Sequence, residues 1–358
     1  MLCVLNPEDM VPKDHPLRAI KELADGALKK VDEELEAMYA SHGRPSVPPE
    51  RLLKAMLLMA LYSIRSDRQL CEQLQYNMLF RWFLDMDMTG AVWDRSTFSH
   101  NRERLLESDI ARSLFGAVVQ KARQASLMSD EHFSVDGTLI EAWASLKSFR
   151  PKDDGDDDPK GPTDSNGWSD FRGTKRSNKT HQSKTDPEAK LAKKGPGKEA
   201  KLCFSGHAFM ENRNGLLVDF ELTAATGRAE IEAAATMVAR AERSRRITVG
   251  ADSGYDNREF VAMCRSHNAT PHVAQYGQRG NGTRGSAIDR RTTGRPGYTA
   301  SQIVRKRIEE IFGWGKTVGG LRRSRFKGLR RTRLQALVAA TAYNLLRVAK
   351  LLQPRLTA

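Results

Sequence analysis

The sequence predicts a mixed α+β protein, an N-terminal helical bundle followed by a mixed sheet flanked by helices, and three observations predict it. Residues 15 to 110 carry apolar positions three and four apart behind proline-led helix starts. From Phe133 the pattern changes to short β-branched and aromatic runs, some of them separated by stretches of helical period. At 358 residues and 39% apolar content the chain exceeds one typical domain. The helical part is therefore placed at 1–125 and the sheet part at 126–352, with a tail at 353–358.

In order, Pro16 opens an amphipathic helix running to about Tyr39, and Val47-Pro48-Pro49-Glu50 opens a second. Proline suits these positions because the first helical turn has no use for its missing N–H. Leu52, Leu53, Met56, Leu57, Ala60 and Leu61 give the second helix one apolar face. Shorter segments follow at Asp67 to Tyr76 and Met78 to Phe83. Asp94, in Asp94-Arg95-Ser96-Thr97, is an N-cap for a helix carrying Phe98 to Arg104. Such a bundle is of the helix-turn-helix sort, and its last helix would present Ser99, Asn101 and Arg102 to a DNA groove. A purely structural bundle with an ordinary polar face fits the same pattern.

The sheet begins with a strand at Phe133 to Ile140. Leu202 to Glu211 and Leu216 to Thr223 form a hairpin around Asn214-Gly215, a pair that tolerates the positive φ of a tight turn. A helix at Gly227 to Arg243, a strand at Ile247 to Gly250, a helix at Asp256 to His267, a strand at Thr270 to Ala274 and a helix at Ser301 to Lys316 complete the series. Three strands, helix, strand, helix, strand, helix is the order of the ribonuclease-H-like fold. Leu146 to Lys201, which includes the acidic run 153–158, is too poor in apolar residues to order itself and reads as a mobile insertion at 146–201. Gln275 to Tyr298, rich in Gly and Arg, reads as a flexible basic loop.

Lys and Arg number 58 against 44 Asp and Glu, a net charge of +14, and no acid follows Glu310. Such a field favours a polyanionic partner, either nucleic acid or an anionic membrane surface. No apolar run reaches the roughly 18 residues of a membrane span. Met1 to Asp9 lacks the basic and apolar parts of a signal peptide. A cytoplasmic, nucleoid-associated enzyme is the expectation. Cys3, Cys71, Cys203 and Cys264 are scattered without a Cys-x-x-Cys pair, which indicates buried thiols rather than disulfides or a zinc site.

Three acids stand out against this background. Asp136 and Asp252 each follow a β-branched run, and Glu309 heads the acid-poor C-terminal segment. The predicted topology makes the first and fourth strands neighbours, so Asp136 and Asp252 can converge while Glu309 arrives from a helix across that edge. Carboxylates gathered this way repel one another and raise their pKa values unless a cation joins them. Hard divalent ions held by a few carboxylates activate a water or hydroxyl and stabilise the leaving oxygen in phosphodiester chemistry. Blander roles exist for each: turn former for Asp136, helix cap for Asp252, helix-surface glutamate for Glu309, with Glu310 as its runner-up. Arg305 and Lys316 lie four residues before and seven after Glu309, on one helical face. Arg322, Arg323, Arg325, Lys327, Arg330 and Arg331 supply further charge for phosphate contacts.

Val135-Asp136-Gly-Thr, Gly250-Ala-Asp252-Ser-Gly-Tyr255-Asp256 and Arg305-x-x-x-Glu309-x6-Lys316 resemble the three signature regions of DDE transposases of bacterial insertion sequences, in particular the insertion-sequence-five type. Pro48-Pro49-Glu50-Arg-Leu-Leu and Arg95-Ser-Thr-Phe-Ser-x-x-Arg102 are similar to that group's N-terminal domain. Phe149-Arg-Pro-Lys-Asp, Phe171-Arg-Gly and Lys201-Leu-Cys-Phe-Ser-Gly-His207 resemble one branch of it. The resemblance implies that Asp136, Asp252 and Glu309 ligate Mg²⁺, for which Mn²⁺ can substitute, and that Arg305 and Lys316 assist at the DNA backbone. It further implies binding to terminal inverted repeats, end cleavage and transfer of the 3′-hydroxyl strands to target DNA, in a homodimer or larger assembly on DNA. One departure is Gln302, where the group usually has tyrosine; Tyr298 is the nearest stand-in. A purely hydrolytic nuclease on the same scaffold and a non-catalytic DNA-binding regulator are the competing readings.

Overall fold

A computed structural model of the protein describes residues 6–38, 47–106, 108–152, 176–195, 197–241, 245–275 and 285–353. The predicted helix ends at Tyr39 and Arg243, the acidic run 153–158, Phe171-Arg-Gly, residues 276–284 of the Gly/Arg loop and residues 354–358 lie outside the described residues.

The N-terminal half is helical: α1 (Pro7–Met10), α2 (Pro16–Leu28), α3 (Asp32–Glu36), α4 (Pro49–Leu61), α5 (Asp67–Tyr76), α6 (Met78–Phe83), α7 (Arg95–Arg104) and α8 (Ile110–Gln124). Prolines occupy the first turns of α1, α2 and α4, and Asp94 accepts from Ser96 N and Thr97 N at the head of α7. The helix expected to run from Pro16 to Tyr39 instead breaks at Lys29–Val31, and the break re-phases the apolar stripe so that both Val31 and Leu35 are buried. α4 is buried along most of its length, Lys54 included. That ammonium is tolerated because Asp25 and Asp85 hold it at 2.7 and 2.5 Å.

A six-stranded sheet follows, built on the order β4-β5-β1-β7-β8, with β6 also on β5. The strands are β1 (His132–Glu141), β4 (Lys190–Ala192), β5 (Lys201–Glu211), β6 (Leu217–Ala224), β7 (Ile247–Ala251) and β8 (Ala269–Val273); β2 (Phe149–Pro151) and β3 (His181–Ser183) form a separate two-stranded ribbon. β5 runs antiparallel to both β1 and β6, whereas β7 is parallel to β1 and to β8. This is the ribonuclease-H-like arrangement. The hairpin turns at Gly215 with φ +70°, a backbone region glycine enters without a Cβ penalty. The predicted insertion is not bare of structure in its described parts: Phe149 buries its ring in the β2–β3 ribbon, and β4 adds three residues to the edge of β5.

The helices α9 (Ala229–Arg240), α10 (Arg258–Ser266), α11 (Arg290–Thr293), α12 (Pro296–Val304), α13 (Ile308–Thr317) and α14 (Leu329–Leu352) complete the chain. α9 and α10 cover one face of the sheet over Phe133, Val135, Phe209 and Val249. The other face, with Ile140, Phe204, Ala208 and Met210, shares a single apolar cluster with α2, α4, α8, α13 and α14. α14 was not expected from the sequence, where its start reads as basic tail. It is the central strut of that cluster, contacting α8, α4, α2 and β6, and Asn344 bridges both Leu217 N and Leu217 O at 2.9 Å. The single helix expected over Ser301 to Lys316 is α12 and α13, joined by a tighter turn at Arg305–Arg307. Among the described residues, no helix is long and apolar enough to cross a membrane.

Candidate active site

The parallel pairing of β1 and β7 sets the site. Ser134 lies opposite Gly250; two residues further on stand Asp136 within β1 and Asp252 just past the end of β7, its backbone still extended. Side chains two apart in a strand point the same way, so equal offsets from one register pair bring both carboxyls to the same face at the same end of the sheet. Asp136 accepts from Gly137 N at 2.7 Å, and Asp252 accepts from Gly254 N at 2.8 Å as it heads a short 3₁₀ turn, Ser253–Tyr255. The cap role foreseen as an alternative for Asp252 therefore accounts for one of its oxygens. The helix expected from Asp256 starts at Arg258 as α10: Asn257 caps it, accepting from Phe260 N at 2.8 Å, and Asp256 accepts from Ala287 N at 2.8 Å.

Burial, with the negative charge of Asp252 and Glu230 added, pushes Asp136 up to about 6, against a smaller opposing pull from Gly137 N–H and Arg305. Glu230 was not anticipated. It sits in the first turn of α9, where its own pKa is raised by burial and by Asp252, and its Oε1 lies 2.9 Å from where a Cβ on Gly137 would be. Nothing in Thr226-Gly-Arg-Ala-Glu230 distinguishes it from an ordinary helix-start glutamate; only the approach of α9 to the bare backbone at Gly137 does. Tyr255 lies beneath this group, fully buried, its hydroxyl without a hydrogen-bond partner. Burial and then the charges of Glu230, Asp136 and Asp252 hold that phenol well above its usual range.

Glu309 is placed differently. It is exposed in the first turn of α13 and has no hydrogen bond or ion pair among the described residues. Among those residues no group of three or more His, Cys, Asp or Glu stands close enough to hold a metal ion. Glu310 turns away to Arg347 at 3.4 Å. Lys316, two helical turns after Glu309, donates to Thr138 Oγ1 at 2.6 Å, and Thr138 shares the strand face of Asp136. The face of α13 that carries Glu309 and Lys316 therefore lies over β1. Arg305 stands at the other end, its Cβ 3.4 Å from a Cβ built on Gly250. Gln302 takes an unforeseen part: its Oε1 accepts from Arg305 Nε at 2.9 Å, and its Nε2 donates to His272 O on β8. Tyr298 donates to Val273 O at 2.9 Å and so anchors α12 to the same strand rather than meeting Arg305.

The other basic candidates divide by what already holds them. Arg322 is exposed and its side chain has no partner among the described residues, and Lys327 is exposed with its Nζ 4.8 Å from the centre of the Trp143 ring. Arg323 donates to Trp143 O at 2.8 Å, Arg330 to Leu106 O, and Arg331 to both oxygens of Glu103 at 2.8 and 3.0 Å. Arg325 reaches inward to Ile64 O at 2.9 Å, with burial lowering its pKa. On α7, two of the three expected groove readers are turned inward and the third, Ser99, is half-buried. Asn101 and Arg102 are 7% and 5% exposed; Asn101 donates to Thr97 O at 2.8 Å, and Arg102 to Asp67 at 2.7 Å and Ser99 Oγ at 3.2 Å. The polar pattern that looked like a reading face closes α7 onto α5, because an arginine flanked by Phe98 and Phe326 is better satisfied by the half-buried carboxylate of Asp67 than by water.

Comparison with known proteins gives the family. Residues 5–104 match a transposase domain and residues 129–345, more than half of the chain, match the transposase DDE domain. Among solved structures the chain is similar to the piggyBac transposase synaptic complex with hairpin DNA, at 10% identity and TM-score 0.43, over 94% of this chain and 74% of that one. It is also similar to the Mos1 transposase paired-end complex with left transposon end, at 10% identity and TM-score 0.19, over 65% of this chain and 61% of that one. The Mos1 mariner paired end complex with Mn matches at 12% identity and TM-score 0.20, over 73% and 78%. Those likenesses are too distant to add to the match of the domain itself. With Asp136 on β1, Asp252 just past the end of the parallel β7, and Arg305 and Lys316 brought to the same strands by the turn before α13 and by α13 itself, the chain belongs to the DDE transposase family, whose members are DNA-cleaving enzymes that use divalent metal.

Proposed function

We propose that this chain is the transposase of an insertion element: it binds the element's terminal inverted repeats, cuts the ends and joins the freed 3′-hydroxyls to target DNA. The observation that carries the reading is the equal offset of Asp136 and Asp252 from the Ser134–Gly250 pair, with Arg305 beside them. The donor chemistry fits a hard divalent cation. Burial, and after it the negative charge of Asp252 and Glu230, disfavours the charged form of Asp136, a penalty that a bound dication would relieve. Asp136 and Asp252 would hold Mg²⁺, or Mn²⁺ in its place, with Glu309 as the third acid, offered from α13 over the same face. The bound cations would supply the activated water or hydroxyl and the charge stabilisation of the leaving oxygen.

The chain's own residues do the rest. Arg305, steadied by Gln302, directs its guanidinium at a phosphate beside the acids, and Lys316 places an ammonium along β1. Arg322 and Lys327 extend the contact as exposed cations, in keeping with salt-dependent binding that carries no sequence information. Two ends must be processed together, so a homodimer or larger assembly on DNA is part of the proposal, as are the 1–125 and 126–352 division and work at the nucleoid. A strand-transfer assay with precleaved ends tests it. Wild type should join them with Mg²⁺ or Mn²⁺, and Asp136→Asn, Asp252→Asn and Glu309→Gln should each abolish joining while leaving the fold intact. Hydrolysis without any joined product would sink the transfer step, and full activity in Glu309→Gln would remove that residue from the site.

A further inference from the structure

We propose that Trp143 and Lys327 form a stacking platform for an unpaired DNA base, at the far end of a cationic track that leads along β1 from the acids. The inference rests on the reading of the chain as a DNA-processing enzyme and adds to it a site for single-stranded DNA.

Trp143 is 46% exposed although its neighbours Ala142 and Ala144 are buried, so the strand's continuation is anchored while the indole is turned outward. The backbone beneath it is braced. Arg323 donates to Ala142 O at 3.3 Å and Trp143 O at 2.8 Å, and the segment bearing Arg322 to Ser324 is bonded to Glu141 through Glu141 N to Arg322 O and Ser324 N to Glu141 O. Lys327 lies over the ring at 4.8 Å, a cation that a phosphate next to a stacked base would meet.

The path back to the acids is positive. Lys316 lies at Thr138, and Lys194 and Arg322 are near enough to oppose its charge. Lys194 and Arg322 are exposed and have no partner among the described residues. The acid on this stretch, Glu141, is already paired with Lys201 at 2.7 Å. With Glu141 taken up by Lys201, the positive charge left over on this stretch favours a polyanion. Trp143 follows Asp136 by seven residues. At ~3.3 Å per strand residue that is at most roughly 23 Å, about seven nucleotide steps. A strand whose backbone follows the cations would arrive at Trp143 with a base to stack, and stacking on an aromatic ring tolerates any base.

The test uses the full chain and a labelled duplex, either blunt or with a single-stranded overhang that carries 2-aminopurine. Wild type should bind the overhanging duplex more tightly and quench the 2-aminopurine. Trp143→Ala should lose about tenfold in affinity for the overhang with blunt-duplex affinity unchanged, and Trp143→Phe should keep most of the preference. An unchanged melting temperature in Trp143→Ala excludes loss of fold as the cause. Equal overhang binding by wild type and Trp143→Ala, or an equal loss on the blunt duplex, overturns the platform while leaving DNA binding in place. Failure of wild type to bind either duplex in a salt-sensitive way would overturn the DNA reading itself.

Discussion

Replacing Asp136 by Asn should stabilise the metal-free protein while destroying its activity. Asp136 titrates at about 6 in the folded chain, roughly two units above its ordinary value of 3.8. At ~1.4 kcal/mol per unit the folded state at neutral pH carries a penalty on the order of 3 kcal/mol. The sign follows from proton binding: between about pH 4 and 6 the folded state holds a proton that the unfolded chain has released, so stability falls as pH rises through that window. Above it the carboxylate is charged and penalised in full. Asn keeps the shape and cannot charge, so in chelator at pH 7 Asp136→Asn should melt higher by ~1–3 kcal/mol, which for a chain of this size means a few degrees. The advantage should shrink steadily toward pH 5. Thermal melts across that pH range, with chelator present, read it directly, and added Mn²⁺ should raise the melting temperature of wild type more than that of the variant. A variant that melts lower than wild type at pH 7, or a difference that does not vary with pH, would refute the account of Asp136 as a carboxyl held against its neighbours.

Two further substitutions separate positioning from folding. Gln302→Leu removes the acceptor that holds Arg305 and the link to His272 O, and a hydrogen bond to a charged group is worth ~1.5–3 kcal/mol. Single-turnover cleavage should slow by about tenfold or more with DNA affinity little changed, and Gln302→Glu, which keeps the acceptor, should recover part of the rate; equal rates in wild type and Gln302→Leu would show that Arg305 needs no support. Arg102→Ala leaves Asp67 without its buried partner, which costs about 3 kcal/mol or more in chemical denaturation. If the variant instead kept its stability and lost only discrimination among DNA sequences, the assignment of Arg102 to the interior would be wrong.

What the sequence determined by itself is whatever depends on local chemistry and period. Proline-led helix starts, the Asp94 cap, the Asn214-Gly215 hairpin and the helix–strand alternation after Phe133 were all legible, because each is decided by residues within a few positions of one another. The pairing of the strand that carries Asp136 with the strand that leads into Asp252 was legible too, since element order constrains which strands pair. Tertiary structure alone decided the rest. Whether Arg102 faces a groove or Asp67 is a choice between water and a partner 35 residues away, and the local pattern is the same in both cases. α14 reads as basic tail until β6, α4 and α8 supply the surfaces that bury its Ala- and Leu-rich length. Glu230 became a neighbour of the acids only when α9 settled over the bare Cα of Gly137, and Gln302 became the support of Arg305 only when α12 docked on β8. Periodicity records which face of an element is apolar, whereas the identity of what meets that face is set by contacts distant in the chain, and these exist only once the core has closed.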